Sequence, residues 1–143
     1  MERRNAWKTY TTTELEQLEQ LTSDYKIFLD EGKTERECVR EIIATARQWG
    51  YKSLEELMAQ NYVLGPGDKV YAQTKGKAVA LFNIGIFPIE EGMNILGAHI
   101  DSPRLDLKPN PLYEDGGFAY FKTHYYGGIK KYQWTAIPLA LHG

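Results

Sequence analysis

Three histidines, one cysteine and a scatter of carboxylates hold most of the chemistry this sequence can do. The histidines stand at 99, 124 and 142, and His99 has an acidic residue two places on, Asp101. Positions i and i+2 of an extended strand point to one face, so a strand here would set imidazole beside carboxylate. The run Met93-Asn94-Ile95-Leu96-Gly97-Ala98 before them predicts a buried central strand. The proline-containing loop after them puts the pair at a strand's carboxyl end, where open α/β sheets gather ligands. Gly97 and Ala98 would keep the local wall small. An ionised carboxylate in such a place is costly unless it is paired or near a metal. Neutral imidazole is a good zinc ligand, and a carboxylate on its second nitrogen fixes the tautomer. Spacing leaves open whether Asp101 holds the His99 ring or faces another partner.

Other candidates read as structural. Lys75-Gly76-Lys77 lacks the upstream glycine of a phosphate-binding loop and sits in a predicted hairpin, so it carries no nucleotide role. Glu55-Glu56 falls in an early helix and Glu90-Glu91 precedes His99; both read as solvated faces or turns. His124 lies in a tyrosine-rich strand that suits a cross-strand or interface role, and His142 has no assigned role. Arg104 is a candidate partner for a substrate carboxylate, but a loop arginine is ordinarily solvated. Cys38 is the only cysteine, which excludes an intrachain disulfide and a cysteine zinc cluster and fits a reducing, cytoplasmic setting.

The elements that must position these residues are α/β in class. Thr11-x-x-Glu14 and Thr13-x-x-Glu16 match helix-starting capping boxes, as does Thr34-x-x-Glu37. Leu15, Leu18, Leu21, Tyr25, Phe28 and Leu29 form one helical stripe, which Gly32 ends with a left-handed cap. Cys38, Val39, Ile42, Ile43, Ala46 and Trp49 form the buried face of a second helix, and Ser53-x-x-Glu56 starts a third that runs to about Gln60. Beyond Gly65-Pro66-Gly67 the period changes: 69–73 and 78–84 read as strands around the turn 74–77. Prolines 103, 109 and 111 predict an irregular or edge segment over 102–117. Phe118 to Tyr126 reads as a strand that Gly127-Gly128 turns back into 129–134.

Composition bounds the rest. The chain has 143 residues, 43% of them hydrophobic, with 17 basic against 19 acidic side chains. That is an ordinary globular balance with no cue for nucleic acid. No apolar run approaches the roughly 20 residues that span a bilayer, so no membrane partner is expected. The charged opening from Met1 to Trp7 is followed by no secretory apolar stretch. The apolar ending from Ile137 to Gly143 predicts a fragment of a longer protein.

The segment from Gly97 through His99, Asp101, Ser102, Pro103, Arg104, Leu105, Asp106 and Lys108 to Pro109 resembles the first metal-binding motif of the aspartyl aminopeptidase family. Tyr125-Tyr126-Gly127-Gly128-Ile129, followed by Trp134, resembles that family's Tyr-Gly-Gly stretch. The wording from Arg104 to Pro111 is closest to the bacterial branch, and the specific match lies between Asn94 and Leu141. The resemblance implies two zinc ions bridged by a carboxylate and a water, with a glutamate as general base. His99 would ligate one zinc and Asp101 would be the catalytic aspartate. The family's remaining ligands come from segments further downstream, and one ligand cannot hold a catalytic zinc. The resemblance further implies peptide substrates and homo-oligomers built on dimers, up to a tetrahedral dodecamer. It divides the chain into 1–101, the N-terminal part of a catalytic domain with part of an α/β/α sandwich, and 102–143, the start of a β-rich dimerisation domain. The isolated chain is expected to be inactive. The alternative reading is a non-catalytic binding or oligomerisation module, supported by the Tyr- and Trp-rich hairpin.

Overall fold

The computed structural model describes residues 5–142, so the first four residues of the charged opening and the final glycine lie outside it. The chain forms two compact units, one closing at Ile100 and the other opening at Asp101. The first unit is α/β, with three helices and a mixed sheet.

A 3-10 turn, Ala6–Lys8, precedes helix α1, Thr12–Glu31. Thr11 rather than Thr13 caps α1: its Oγ1 accepts from the Glu14 amide at 3.3 Å, and Glu14 accepts from the Thr11 amide at 2.7 Å. These bonds satisfy amides that a helix start otherwise leaves without partners. They also hold the Glu14 carboxyl below its ordinary value, chiefly through the Thr11 amide and then through the Thr11 hydroxyl. Helix α2, Glu35–Gln48, repeats the device with Thr34 and Glu37.

Between the two helices Gly32 is not left-handed, as its φ is −99°. Glycine is needed there for space, since a Cβ would lie 2.9 Å from Cys38 Sγ and 3.0 Å from the Phe28 carbonyl oxygen. The close approach lets the chain reverse while Cys38 Sγ donates to the Gly32 carbonyl at 3.5 Å.

Strand β1, Lys52–Ser53, runs into helix α3, Leu54–Ala59, whose first turn Ser53 caps. Strands β2, Lys69–Thr74, and β3, Ala78–Asn83, form the predicted hairpin. Lys75 and Gly76 both have positive φ, 53° and 64°, within the three-residue loop 75–77 between the paired Thr74 and Ala78. The sheet order is β1-β2-β3, with β1 parallel and β3 antiparallel to β2. Neighbouring residues of a strand point to opposite faces. Val70 and Tyr71 are both buried, so β2 is covered on two sides. Arg47 of α2 donates to the Tyr71 hydroxyl at 2.7 Å, which leaves that phenol oxygen with a partner inside the core. Among the described residues, Cys38, Val39, Ala46, Leu57, Val70 and Tyr71 are the buried hydrophobic side chains.

Several expectations change here. Trp49 is 70% exposed because α2 stops at Gln48 and Trp49 becomes its cap, turned away from the helix's buried face. On α1, Leu18 and Phe28 are half-buried, while Leu15, Leu21, Tyr25 and Leu29 stay exposed. The expected central strand is absent among the described residues: 92–103 belong to no helix or strand, and Leu96 is fully exposed. A strand is held by ladders to its neighbours, and the ladders described here are those of β1-β2-β3 and of the second unit's hairpin. Apolar content alone forms none. A second 3-10 turn, Ile89–Glu91, lies just before this segment.

The second unit is a long antiparallel hairpin of β4, Arg104–Asp115, and β5, Phe118–Tyr126. The prolines predicted an irregular or edge segment, and β4 is an edge strand of this two-stranded sheet that takes Pro109 and Pro111 in a bulge between Leu107 and Leu112. There the ladder asks for no amide, so proline costs little. Gly116 and Gly117, φ 58° and 80°, make the tight turn. Consequently β5 pairs back to β4, and 129–134 do not return as a strand. Lys131–Trp134 instead forms a single helical turn, α4. Two consecutive positive-φ residues match hairpin twist, whereas at 127–128 only Gly127 has positive φ.

Candidate functional site

His99 is exposed and lies at the end of the first unit, in the irregular stretch after the 3-10 turn. The strand alternation that would align it with Asp101 does not apply, because no strand forms there. Gly97 is not needed for space, since a Cβ on it would meet nothing within 4 Å.

Asp101 is exposed and opens the second unit. The backbone after it is held in two ways. Pro103 packs against Gly127, where an added Cβ would lie 3.4 Å from the Pro103 Cα and Cγ. Arg104 begins β4 in register with Tyr126, and its guanidinium lies 4.8 Å from the centre of that ring. Arg104 Nε also donates to Asp106 Oδ1 at 2.9 Å. Arg104 is thus half-buried and engaged, where the sequence reading gave it a substrate carboxylate or simple solvation.

His124 stands opposite Asp106 across the hairpin and meets the Tyr126 ring edge-on at 4.9 Å. Its ring contacts, with Tyr125 and Tyr126, lie along its own strand, so the tyrosine-rich setting engages it within β5 rather than across the hairpin. Glu55 and Glu56 occupy the first turn of α3, Glu90 and Glu91 the second 3-10 turn, and all four are exposed. Burial raises the Cys38 thiol above its ordinary value, with Glu37 and Glu35 adding to the rise. A thiol so placed is a poor nucleophile and a poor metal ligand.

Among the described residues no group of three or more His, Cys, Asp or Glu side chains could hold a metal ion. A catalytic zinc takes three protein ligands, so the residues present do not complete a zinc site, though His99 has the chemistry of one ligand. No metal step is derived from them. No helix among the described residues is long and apolar enough to cross a membrane.

The family model for aminopeptidase I zinc metalloproteases (M18) matches residues 28–143, taking in both the His99 motif and the Tyr-Gly-Gly stretch. The chain belongs to the M18 family. The aspartyl aminopeptidases that its motif resembles fall within that family. A probable M18 family aminopeptidase 1 of Clostridium acetobutylicum is 54% identical over 142 residues, which are 99% of this chain and 30% of that protein. Among solved M18 structures, aminopeptidase I from Borrelia burgdorferi B31 superposes with a TM-score of 0.81 at 42% identity. That match covers 92% of this chain and 31% of the Borrelia chain. The M18 aminopeptidase of Thermotoga maritima gives 0.80 at 45% identity, covering 96% and 29%. The chain spans about 30% of the length of these M18 relatives.

What the sequence reading missed is the contact between the two resembling motifs. Pro103 belongs to the first and Gly127 to the second, and the hairpin register brings them together. The signal was present as a glycine pair ending an aromatic strand, but it read as a turn into another strand.

Proposed function

We propose that the whole protein carrying this chain is a zinc-dependent aminopeptidase that removes N-terminal residues from peptides. The observation that supports this most is the family match over 28–143, which includes the His-x-Asp-Ser-Pro motif. In this reading His99 is one ligand of a centre of two zinc ions and Asp101 is the catalytic aspartate. The remaining ligands and the general base come from outside these residues. Residues 1–101 are the opening of the catalytic domain, and 102–143 begin a dimerisation domain. A reducing cytoplasmic setting agrees with a single buried cysteine.

The test is zinc content and hydrolysis of aminoacyl anilides by the native full-length polypeptide. His99→Ala should lose bound zinc and reduce kcat by at least about a hundredfold. Full activity with full metal content in that variant would remove His99 from the site.

A second reading concerns assembly, and the hairpin supports it. On one face Leu105, Leu107, Leu112, Phe121 and Tyr125 are all exposed. On the other, Arg104 lies over Tyr126 and Lys122 over Tyr113, which suits solvent, while on the first face Lys131 lies over Tyr125 at one end. An apolar face of that extent asks for cover. We assign it to the interior of a dimer-based homo-oligomer, reaching a tetrahedral dodecamer. Light scattering of the full-length protein should give a multiple of the protomer mass; a strict monomer would discard the assembly.

A further inference from the structure

We propose that the outer edge of β5 pairs antiparallel with the same edge of a second copy, joining two hairpins into one four-stranded sheet. This rests on the assembly reading above and names the strand that carries it. Each strand of the two-stranded sheet has one edge without a ladder among the described residues. An open edge is a template for another chain unless something blunts it, and prolines, bulges and charges are what blunt it. The two edges differ in this. β4 lacks amides at Pro109 and Pro111, is bulged between Leu107 and Leu112, and carries Arg104, Asp106, Lys108, Glu114 and Asp115. β5 is exposed at all nine residues and has neither proline nor carboxylate. Its one lysine, Lys122, lies 5.0 Å from the centre of the Tyr113 ring, drawn over its own hairpin.

One guarded edge beside one open edge points to a second copy as the occupant. Antiparallel pairing of β5 with β5 is self-complementary, so a two-fold axis relates the copies. It uses both open edges and leaves β4 outermost on each side, where the prolines stop further growth. Register follows from face and charge. Directly opposite residues share a face, so an axis normal to the sheet passes through a residue. Such an axis keeps the apolar faces of both copies, each with Leu105, Leu107, Leu112, Phe121 and Tyr125, on one side. An axis at Lys122 sets two ammonium groups against each other, and one at Thr123 sets Lys122 against His124. Like charges directly opposite are destabilising. An axis at Phe121 sets that ring against its copy and Lys122 against Tyr120, a cation beside a tyrosine as within the hairpin itself.

The test uses the native full-length protein, with light scattering over a dilution series to read the dissociation constant between copies. Tyr120→Lys places two like-charge pairs across the axis and should raise that constant at least about tenfold. Tyr113→Lys loses the same stack of Tyr113 on Tyr120 but lies on the guarded strand, and should leave the constant within about threefold. Adding Lys122→Glu to Tyr120→Lys opposes unlike charges across the axis and should bring the constant back to within about threefold of the parent. Amide exchange reads the edge directly, because a free edge leaves alternate amides open to water. In the associated protein the amides from Ala119 to Thr123 should all be slow, and alternate ones should quicken on dissociation.

Equal weakening by the two tyrosine variants, or no recovery with Lys122→Glu, would overturn the pairing. Fast alternate amides in the associated protein would overturn it as well and leave the assembly reading standing. Slow amides that persist in the dissociated protomer would give the edge to another strand of the same polypeptide, again against the proposal. A protein that never associates would discard the assembly reading and the pairing with it. If Tyr120→Lys does not fold, amide exchange in the unsubstituted protein decides.

Discussion

The two units are held by different physics. The first encloses side chains: Val39 and Val70 are each 2% exposed, and two capping boxes finish its longer helices. The second has no buried residue among those described. Its hairpin is held by the backbone ladder, by stacked Tyr113 and Tyr120 at 5.3 Å, and by cations over aromatic rings. Such pairs contribute roughly 0.2–1 kcal/mol each, well below the return from a buried aliphatic side chain. An isolated two-stranded hairpin is marginal in water. The first unit therefore depends on its own interior, and the second depends on whatever covers its apolar face.

The sharpest way to break that contrast is to truncate a leucine in each unit. Leu57→Ala in the first unit should destabilise by about 3 kcal/mol, since a buried methyl cluster leaves a cavity. Leu112→Ala in the hairpin should change stability by less than about 0.5 kcal/mol in the same urea titration, made on this 143-residue chain as a monomer. Similar losses would mean that the hairpin face is already covered.

Gly32→Ala is the next largest effect, about 1–3 kcal/mol, because the new Cβ meets Cys38 Sγ at 2.9 Å. Part of that loss should return when Cys38→Ala is added, as read by thermal melting. A Gly32→Ala protein that melts like the parent would show that α1 and α2 yield more readily than a packed unit should.

The smallest effect is the pH dependence of the α1 start. The Glu14 carboxyl is held below its ordinary value in the folded chain. Its contribution is therefore fully present above the unfolded-state glutamate value and fades as pH falls through the lowered folded value. Amide exchange at Glu14 should quicken over that acid window, and Thr11→Ala should remove the dependence. A response that survives Thr11→Ala would assign it to another group.

The caps and turns of the first unit were legible because they are local. Thr11 with Glu14, Thr34 with Glu37, and Ser53 before α3 are satisfied within one helical turn, so short spacing carries the physics. The hairpin of β2 and β3 was legible for the same reason. Burial was not, because exposure depends on what packs against a side chain. Trp49 fitted the helical period and still faces outward. The apolar segment before His99 fitted a strand, and no ladder forms along it among the described residues. The prolines of β4 marked an edge and an irregularity, but not that the strand resumes beyond them, because a bulge removes the cost that proline normally carries in a sheet.

For the candidate site the division is similar. His99 and Asp101, with Ser102 and Pro103 behind them, were identified from residue type and order alone, and those features carry family membership. What they could not carry is the approach of Pro103 to Gly127, residues 24 places apart in sequence. That contact exists because β4 and β5 pair in one register, which brings Gly127 within van der Waals reach of Pro103. Residue order determined which chemistry this protein can offer; the register of a hairpin decided that the two motifs meet at Pro103 and Gly127.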